Sequence, residues 1–494
     1  MTRKWITLLV GLIATCVAAW ADLPFRNHRY DSFKVLAPAE GSIVFIGNSI
    51  TDMNCWPEVF KDAEGNYLPI VNRGNSGGMS PEQSANLEAY LGNKPAKVFM
   101  MIGTNDLATN GMNFGPTELL NYISSMVDRI HARYADTEIY LYSILKNNTG
   151  NRDLNRVVAI NAAIKAYVEE TNQPWLTYVD LYDKLAGIYD GGAMSYDKLH
   201  CAAAAYKIWA ENICQYLGEG VTHVYPENTA DIQVNGGMGG STGMRATYAS
   251  VMPVSSEDVL FFGDEMVKCG EWQELLGSTN VKNRGNWWGY GGNIAETGKL
   301  IDANYAKVAG VTKEDAKAIF LYTGTQDANG NTDIETVKSS YKALVEKIKT
   351  NSPTSKLYLM SLCPVTNATT NTNRVSVLNA YMKSIADESA DDNVKYVDIY
   401  TSLVANGVAN SKYFYPANYL GGLGYVKVAQ IMKEALDADF PGNDYEVISE
   451  AEAETRKTQA NLRCTLSQAI AAGLMTTVGE GVGEYNTALM AQFL

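Results

Sequence analysis

Four histidines stand among the 494 residues, so any reaction that needs an imidazole has few places to find one. His28 lies near the amino end, His131 falls inside a helical pattern, and His223 lies in the linker between two repeated segments. Only His200 has a carboxylate at a short fixed spacing on a strand-to-helix loop. That carboxylate is Asp197, in the run Asp197-Lys198-Leu199-His200 ahead of a helical stretch, Ala202 to Tyr216. An imidazole oriented by a carboxylate can act as a general base for a hydroxyl nucleophile. Three turns hold candidates for the remaining work. Ser49 sits in Gly47-Asn48-Ser49-Ile50-Thr51, directly after the apolar run Ser42–Ile46. Alone, such a serine reads first as a helix N-cap. Asn72-Arg73-Gly74 follows Leu68–Val71, and Gly103-Thr104-Asn105-Asp106 follows Val98–Ile102; alone, each is a turn.

The elements that would position these turns occur twice. Ile139–Ser143 matches Leu357–Ser361, Asn155–Val157 matches Asn373–Val375, and Tyr178–Tyr182 matches Tyr396–Tyr400, each pair 218 residues apart. Asn72–Gly74 and Asn283–Gly285 are offset by 211, and Gly103–Asp106 and Gly324–Asp327 by 221, a drift that small loop insertions explain. The period is too long for a solenoid, so the chain contains a duplicated domain of about two hundred residues. Each copy alternates short apolar runs (Ser42–Ile46, Val98–Ile102; Val259–Phe262, Ile319–Tyr322) with amphipathic helical stretches such as Leu119–Tyr134 and Val157–Glu170. That alternation predicts an α/β fold with a central parallel sheet and helices on both faces. Functional residues then gather at the carboxyl ends of the strands, where all of these turns lie.

Taken in order, the Gly-x-Ser-Ile-Thr turn, the glycine of Asn-Arg-Gly, the Gly-x-Asn-Asp turn and Asp-x-x-His resemble the SGNH (GDSL-type) hydrolase family over residues 40–218. The branch it most resembles is that of the platelet-activating-factor acetylhydrolase-like esterases, through Phe45–Thr51 and Lys94–Asp106. The resemblance implies two tandem three-layer α/β/α, flavodoxin-like domains. It also implies a Ser49 nucleophile, a His200 base and an Asp197 that orients the imidazole. The oxyanion would be held by the N–H groups of Ser49 and Gly74 and the side-chain amide of Asn105. Two departures stand out. Asn48 replaces the family's usual Asp before the nucleophile, and Asn75-Ser76-Gly77-Gly78 replaces a bulkier residue and an Asp beside the acyl pocket. In the family the residue before the nucleophile supports the turn, and Asn48 keeps the side-chain acceptor for it; Asn48 and Asn75 are also the substrate-side candidates of the first copy.

The second copy reads as catalytically dead. Its first turn is Gly263-Asp264-Glu265-Met266, with a glutamate at the nucleophile position. Gln326 stands at the amide position, and Pro416–Tyr419 replaces the Asp and His. Trp287, Trp288 and Tyr290, which follow Asn283–Gly285, are candidates for stacking on a sugar, or for packing inside the domain.

Composition bounds the partners. The chain is 46% hydrophobic and 19% charged, with 40 basic and 54 acidic residues, which argues against a nucleic-acid groove or an anionic membrane surface. Residues 1–21 read as a signal peptide: Arg3 and Lys4, an apolar stretch Ile6–Val17 and Ala19-Trp20-Ala21. Cleavage before Asp22 takes the net charge from −14 to −16. The protein is expected in the periplasm, at the cell surface or outside the cell, with lipid anchoring at Cys16 the less favoured route. Cys55, Cys201, Cys214, Cys269, Cys363 and Cys464 show no paired spacing, so no metal or cofactor is expected, and buried thiols are favoured over a Cys201–Cys214 disulfide. The organisation is a signal peptide (1–21), an active domain (22–222), a degenerate domain (223–442) and a helical C-terminal module (443–494). The reading is an exported serine esterase that removes short acyl groups, acetyl foremost, from a carbohydrate or glycan. A lipid acylhydrolase and a non-catalytic glycan-binding protein are the alternatives.

Overall fold

The computed structural model describes residues 24–229, 240–286, 293–389, 392–415 and 418–471. The expected signal peptide lies outside them, as do Trp287, Trp288, Tyr290 and Pro416. Two five-stranded parallel sheets organise the chain. The first contains β1 (Ile43–Gly47), β2 (Ile70–Gly74), β3 (Lys97–Met101), β4 (Glu138–Tyr142) and β5 (Leu176–Val179) in the order β2-β1-β3-β4-β5. The second contains β6 (Val259–Gly263), β7 (Val281–Gly285), β8 (Ala318–Tyr322), β9 (Lys356–Met360) and β10 (Val394–Val397) in the order β7-β6-β8-β9-β10. Both follow the flavodoxin-like order, and the sequence-based fold class holds.

Every residue of β1, β6 and β8 is buried, because helices cover both sheet faces; this is why these strands read as unbroken apolar runs. A ladder of rings fills the same place in each copy. Trp56, Phe45, Phe99 and Tyr140 stack at 4.8, 5.0 and 4.5 Å, and Trp272, Phe261, Phe320 and Tyr358 at 4.8, 5.2 and 4.5 Å. In each sheet the chain leaves the first strand to one side and later returns on the other. That reversal between β2 and β3 opens a crevice at the carboxyl end of β1.

The two copies pack about a pseudo-twofold axis. Arg73 makes a bidentate pair with Glu274 (2.7 and 2.7 Å), and Arg284 pairs with Glu58 (2.7 Å). These are reciprocal contacts, because Trp56-Pro57-Glu58 and Trp272-Gln273-Glu274 are equivalent segments, as are Asn72–Gly74 and Asn283–Gly285. A contact in which i meets j and j meets i is the signature of an isologous interface. A helix leads into each copy, Pro24–Val35 and Gly240–Val251, and its arginine does the same work on both sides. Arg29 donates to Cys269 O (2.6 Å) and Gly74 O (3.3 Å), and Arg245 donates to Met53 O (3.0 Å) and Gly285 O (3.1 Å). The C-terminal helix Glu450–Ala471 lies back on the first copy. Ser467 Oγ donates to Glu88 (2.9 Å), Gln468 to Ala85 O (2.9 Å), and Lys457 pairs with Asp31 (2.7 Å).

Candidate active site

β1 ends at Gly47, where an added Cβ would lie 2.0 Å from Thr51 Oγ1 and 2.9 Å from Met101 O, so only glycine fits the turn. The chain then enters a four-residue helix, Ser49–Asp52. Asn48 caps it by accepting from Ile50 N–H at 3.0 Å. Ser49 is the first helical residue, so its backbone N–H has no partner within the helix. A helix this short cannot hold itself. Its carbonyls are instead taken by side chains from around the fold, Ile50 O by Tyr206 Oη (2.7 Å) and Thr51 O by Trp56 Nε1 (2.9 Å), and Arg245 takes the carbonyl of Met53 just after it.

Ser49 Oγ lies 2.8 Å from His200 Nε2, and His200 Nδ1 lies 2.6 Å from Asp197 Oδ2. The other carboxylate oxygen, Oδ1, accepts from His200 N–H (2.8 Å), Leu199 N–H (3.0 Å) and Ser195 Oγ (3.2 Å). Lys198 between them takes a left-handed φ of 61°, which folds those two N–H groups back onto Asp197. Burial opposes the charge on Asp197, but the hydrogen bonds and charge of His200 with the backbone N–H groups outweigh it and hold the carboxyl down at about 2. Asp197 is therefore ionised at neutral pH. It holds Nδ1–H as a donor and leaves Nε2 to accept the Ser49 proton.

Asn105 follows β3 on the far side of the crevice. Its Nδ2 donates to Gly78 O (3.0 Å), and its Oδ1 accepts from Arg152 Nη2 (3.2 Å). Arg152 also donates to Thr104 O at 2.6 Å. Between them these partners fix which way the amide points. Sequence reasoning missed Arg152, which carries no motif and reaches the site only through the fold.

Gly74 behaves differently from its expected role as an oxyanion donor. Its N–H donates to the side chain of Asn72 at 2.9 Å, and an added Cβ would lie 2.3 Å from Asp52 N. Glycine here serves the close packing of β2 against the Ser49 helix. Asn48 and Asn75 are corrected as substrate-side residues. Each is about 1% exposed: Asn48 caps the helix, and Asn75 Nδ2 donates inward to Arg26 O at 3.0 Å. Turn residues with short amides satisfy nearby backbone groups first, and that local demand takes Asn48 Oδ1 and Asn75 Nδ2.

The sequence profile of the GDSL-like lipase/acylhydrolase family matches residues 45–208 and again 264–425. The chain belongs to this family. Among solved structures, it is similar to a Streptococcus pneumonia protein provisionally described as a platelet activating factor. The identity is 25%, over 42% of this chain and 99% of that one, with a TM-score of 0.35. It is also similar to a GDSL-like lipase from Bacteroides thetaiotaomicron VPI-5482 (22%, 38% and 98%, TM-score 0.31). A third is a carbohydrate esterase family 3 protein from Talaromyces cellulolyticus (18%, 36% and 95%, TM-score 0.30). A comparison with curated proteins finds no match.

The second family match keeps the frame and changes the chemistry. Glu265 takes the place of Ser49 at the start of the helix Glu265–Cys269, which Asp264 caps through Met266 N–H at 3.1 Å. Burial raises the Asp264 carboxyl to about 7. Tyr425 Oη donates to Met266 O (3.0 Å), as Tyr206 does to Ile50 O, so the same contact braces the turn in both copies. Tyr419 then stands at the histidine position, and its ring stacks on His28 at 4.8 Å. All six described cysteines are free thiols. Among the described residues, no group of three or more His, Cys, Asp or Glu side chains could hold a metal ion, and no helix is long and apolar enough to cross a membrane.

Proposed function

We propose that the first copy is a serine esterase in which Ser49 attacks the ester, His200 takes its proton and Asp197 orients the imidazole. The observation that carries this reading is the continuous relay from Ser49 Oγ through His200 to Asp197, at 2.8 and 2.6 Å. As Oγ bonds to the ester carbon, its proton moves to Nε2, and Asp197 stabilises the imidazolium that forms. The carbonyl oxygen gains charge opposite Ser49 N–H and Asn105 Nδ2, which act as two fixed donors. The imidazolium then protonates the departing alcohol. Water repeats the sequence on the acyl-enzyme and restores Ser49.

The substrate in this reading is a short acyl ester, acetyl foremost, on a carbohydrate or glycan, and the protein acts after export. The net charge of −14 and the signal-like residues 1–21 support it, because an acidic exported protein suits a neutral sugar polymer better than an anionic surface. Hydrolysis of p-nitrophenyl acetate, butyrate and octanoate by wild type beside Ser49→Ala tests both parts. Turnover that falls with chain length and vanishes in Ser49→Ala is the expected result. A folded wild type inactive on all three esters would refute it.

A further inference from the structure

We infer that Lys268, in the second copy, is a positioning residue for the reaction at Ser49 and acts through Asp52. The inference rests on the reading of Ser49 as nucleophile. Asp52 is the last residue of the Ser49 helix, and its side chain is 2% exposed. Lys268 Nζ, itself 1% exposed, donates to Asp52 Oδ2 at 2.5 Å. Ser76 Oγ donates to the same oxygen at 2.5 Å, and Arg29 Nη2 to Oδ1 at 3.2 Å. Ser76 belongs to the loop whose Gly78 carbonyl receives Asn105 Nδ2. One carboxylate thus ties the helix that carries the nucleophile to the loop that steadies the oxyanion donor. The second copy holds that carboxylate in place.

Burial alone would raise the Asp52 carboxyl, but Lys268 and Arg29 outweigh it and hold it low, so the junction is an ion pair. Arg29 cannot replace Lys268, because its Nη2 is shared with Glu271 at 2.7 Å. Without Lys268, the Asp52 carboxylate turns towards Arg29 and draws the helix and Ser76 with it. Misplacing reacting groups by about 1 Å can cost on the order of 10²-fold.

The partners explain what the degenerate copy retains. Asp52 and Lys268 are equivalent positions, 216 residues apart, as are Ser49 and Glu265. They meet where a residue near a twofold axis would meet its own copy. The second copy has lost its nucleophile and its base, but at this point it supplies the charge that complements the active copy.

The experiment compares Lys268→Met with Glu274→Gln, which weakens the Arg73 pair at the same interface without touching Asp52. In Lys268→Met, kcat on p-nitrophenyl acetate is expected to fall about 10- to 100-fold, with KM within about threefold. Amide exchange over residues 50–53 is expected to quicken. Glu274→Gln is expected to lower the melting temperature and leave kcat within twofold. If both variants lose only stability, or if exchange at 50–53 is equal in the two, the positioning role is overturned. Should Lys268→Met not fold, Lys268→Gln reads the same split. A wild type without esterase activity would refute the reading of Ser49, and the exchange comparison would still decide whether Lys268 holds its helix.

Discussion

Asp197→Asn is the substitution whose consequence follows most directly from the hydrogen bonds at the site. The carboxylate uses both oxygens: Oδ1 accepts three donors (His200 N–H, Leu199 N–H and Ser195 Oγ) and Oδ2 accepts His200 Nδ1–H. An asparagine has one acceptor oxygen for the two places. Keeping it at Oδ1 preserves three bonds, and keeping it at Oδ2 preserves one. At about 1 kcal/mol per net hydrogen bond, the first arrangement wins by roughly 2 kcal/mol. The amide NH2 then faces Nδ1, which must accept, so the ring proton moves to Nε2. In that tautomer Nε2–H donates to Ser49 Oγ and cannot take its proton. About 2 kcal/mol leaves roughly 3% of the ring in the working tautomer, and loss of the negative charge beside the imidazolium adds to this. The expected fall in kcat is about 10⁴-fold, as for a buried triad aspartate changed to asparagine, with KM little changed and a modestly lower melting temperature. Turnover of p-nitrophenyl acetate and a thermal melt read both quantities. An Asp197→Asn protein that keeps more than a tenth of wild-type kcat would refute the orienting role of Asp197.

The same carboxylate gives an acid limb to stability. Its folded value of about 2 lies below the roughly 3.9 of a free Asp, so its contribution is full above about pH 4 and is lost as pH falls towards 2. After discounting for a side chain about a third exposed, the difference is about 1–2 kcal/mol, and denaturant titrations of wild type and Asp197→Asn between pH 2 and 5 should converge at the acid end. Asn105→Ala removes one oxyanion donor and is expected to lower kcat about 10²- to 10³-fold in the same ester assay. Glu265→Ala is expected to leave kcat on a small ester within twofold, and a large loss would show that the second copy takes part in the chemistry.

The strands were legible because parallel strands buried on both faces read as apolar runs that end in glycine turns, whereas their flavodoxin-like order came only with the family resemblance. Ser49, Asn105 and His200 could be placed because each follows such a run or precedes a helix. What remained hidden depended on side-chain direction or on contacts between copies. The Asn72 side chain reaches its own turn to bond Gly74 N–H, and no spacing announces that. The helix Gly240–Val251 has no helical signal at its Gly-Ser-Thr-Gly start, where propensity is weak; it forms by packing between the copies. In the C-terminal helix, Ala453, Ala460 and Cys464 make a buried stripe, and sequence alone gives such a stripe no partner. Arg29, Arg245 and Lys268 look like surface charges in the sequence. They are buried only because two copies fold against each other.

That interface accounts for why a copy with Glu265 and Tyr419 at the serine and histidine positions keeps its shape. Arg284 is fully buried and Glu58 nearly so, and each meets the other across the axis, as Arg73 meets Glu274. Removing one partner strands a buried charge and is expected to cost about 3–5 kcal/mol. The reciprocal geometry sharpens this into a test. If Glu58 and Arg284 were important separately, the losses in Glu58→Arg and Arg284→Glu would add. Because they act as one pair, the double exchange restores an ion pair in reversed sense and should recover a substantial part of what either single change loses. Recovery is incomplete, since Glu58 also accepts from Asn283 N–H (2.9 Å) and Arg284 donates to Asn304 Oδ1 (3.2 Å), and neither bond survives the exchange. A coupling of at least about 2 kcal/mol in a denaturant-based double-mutant cycle is expected. Additive losses would mean that the two copies are held by their apolar contacts, and that the charges ride on an interface they do not specify.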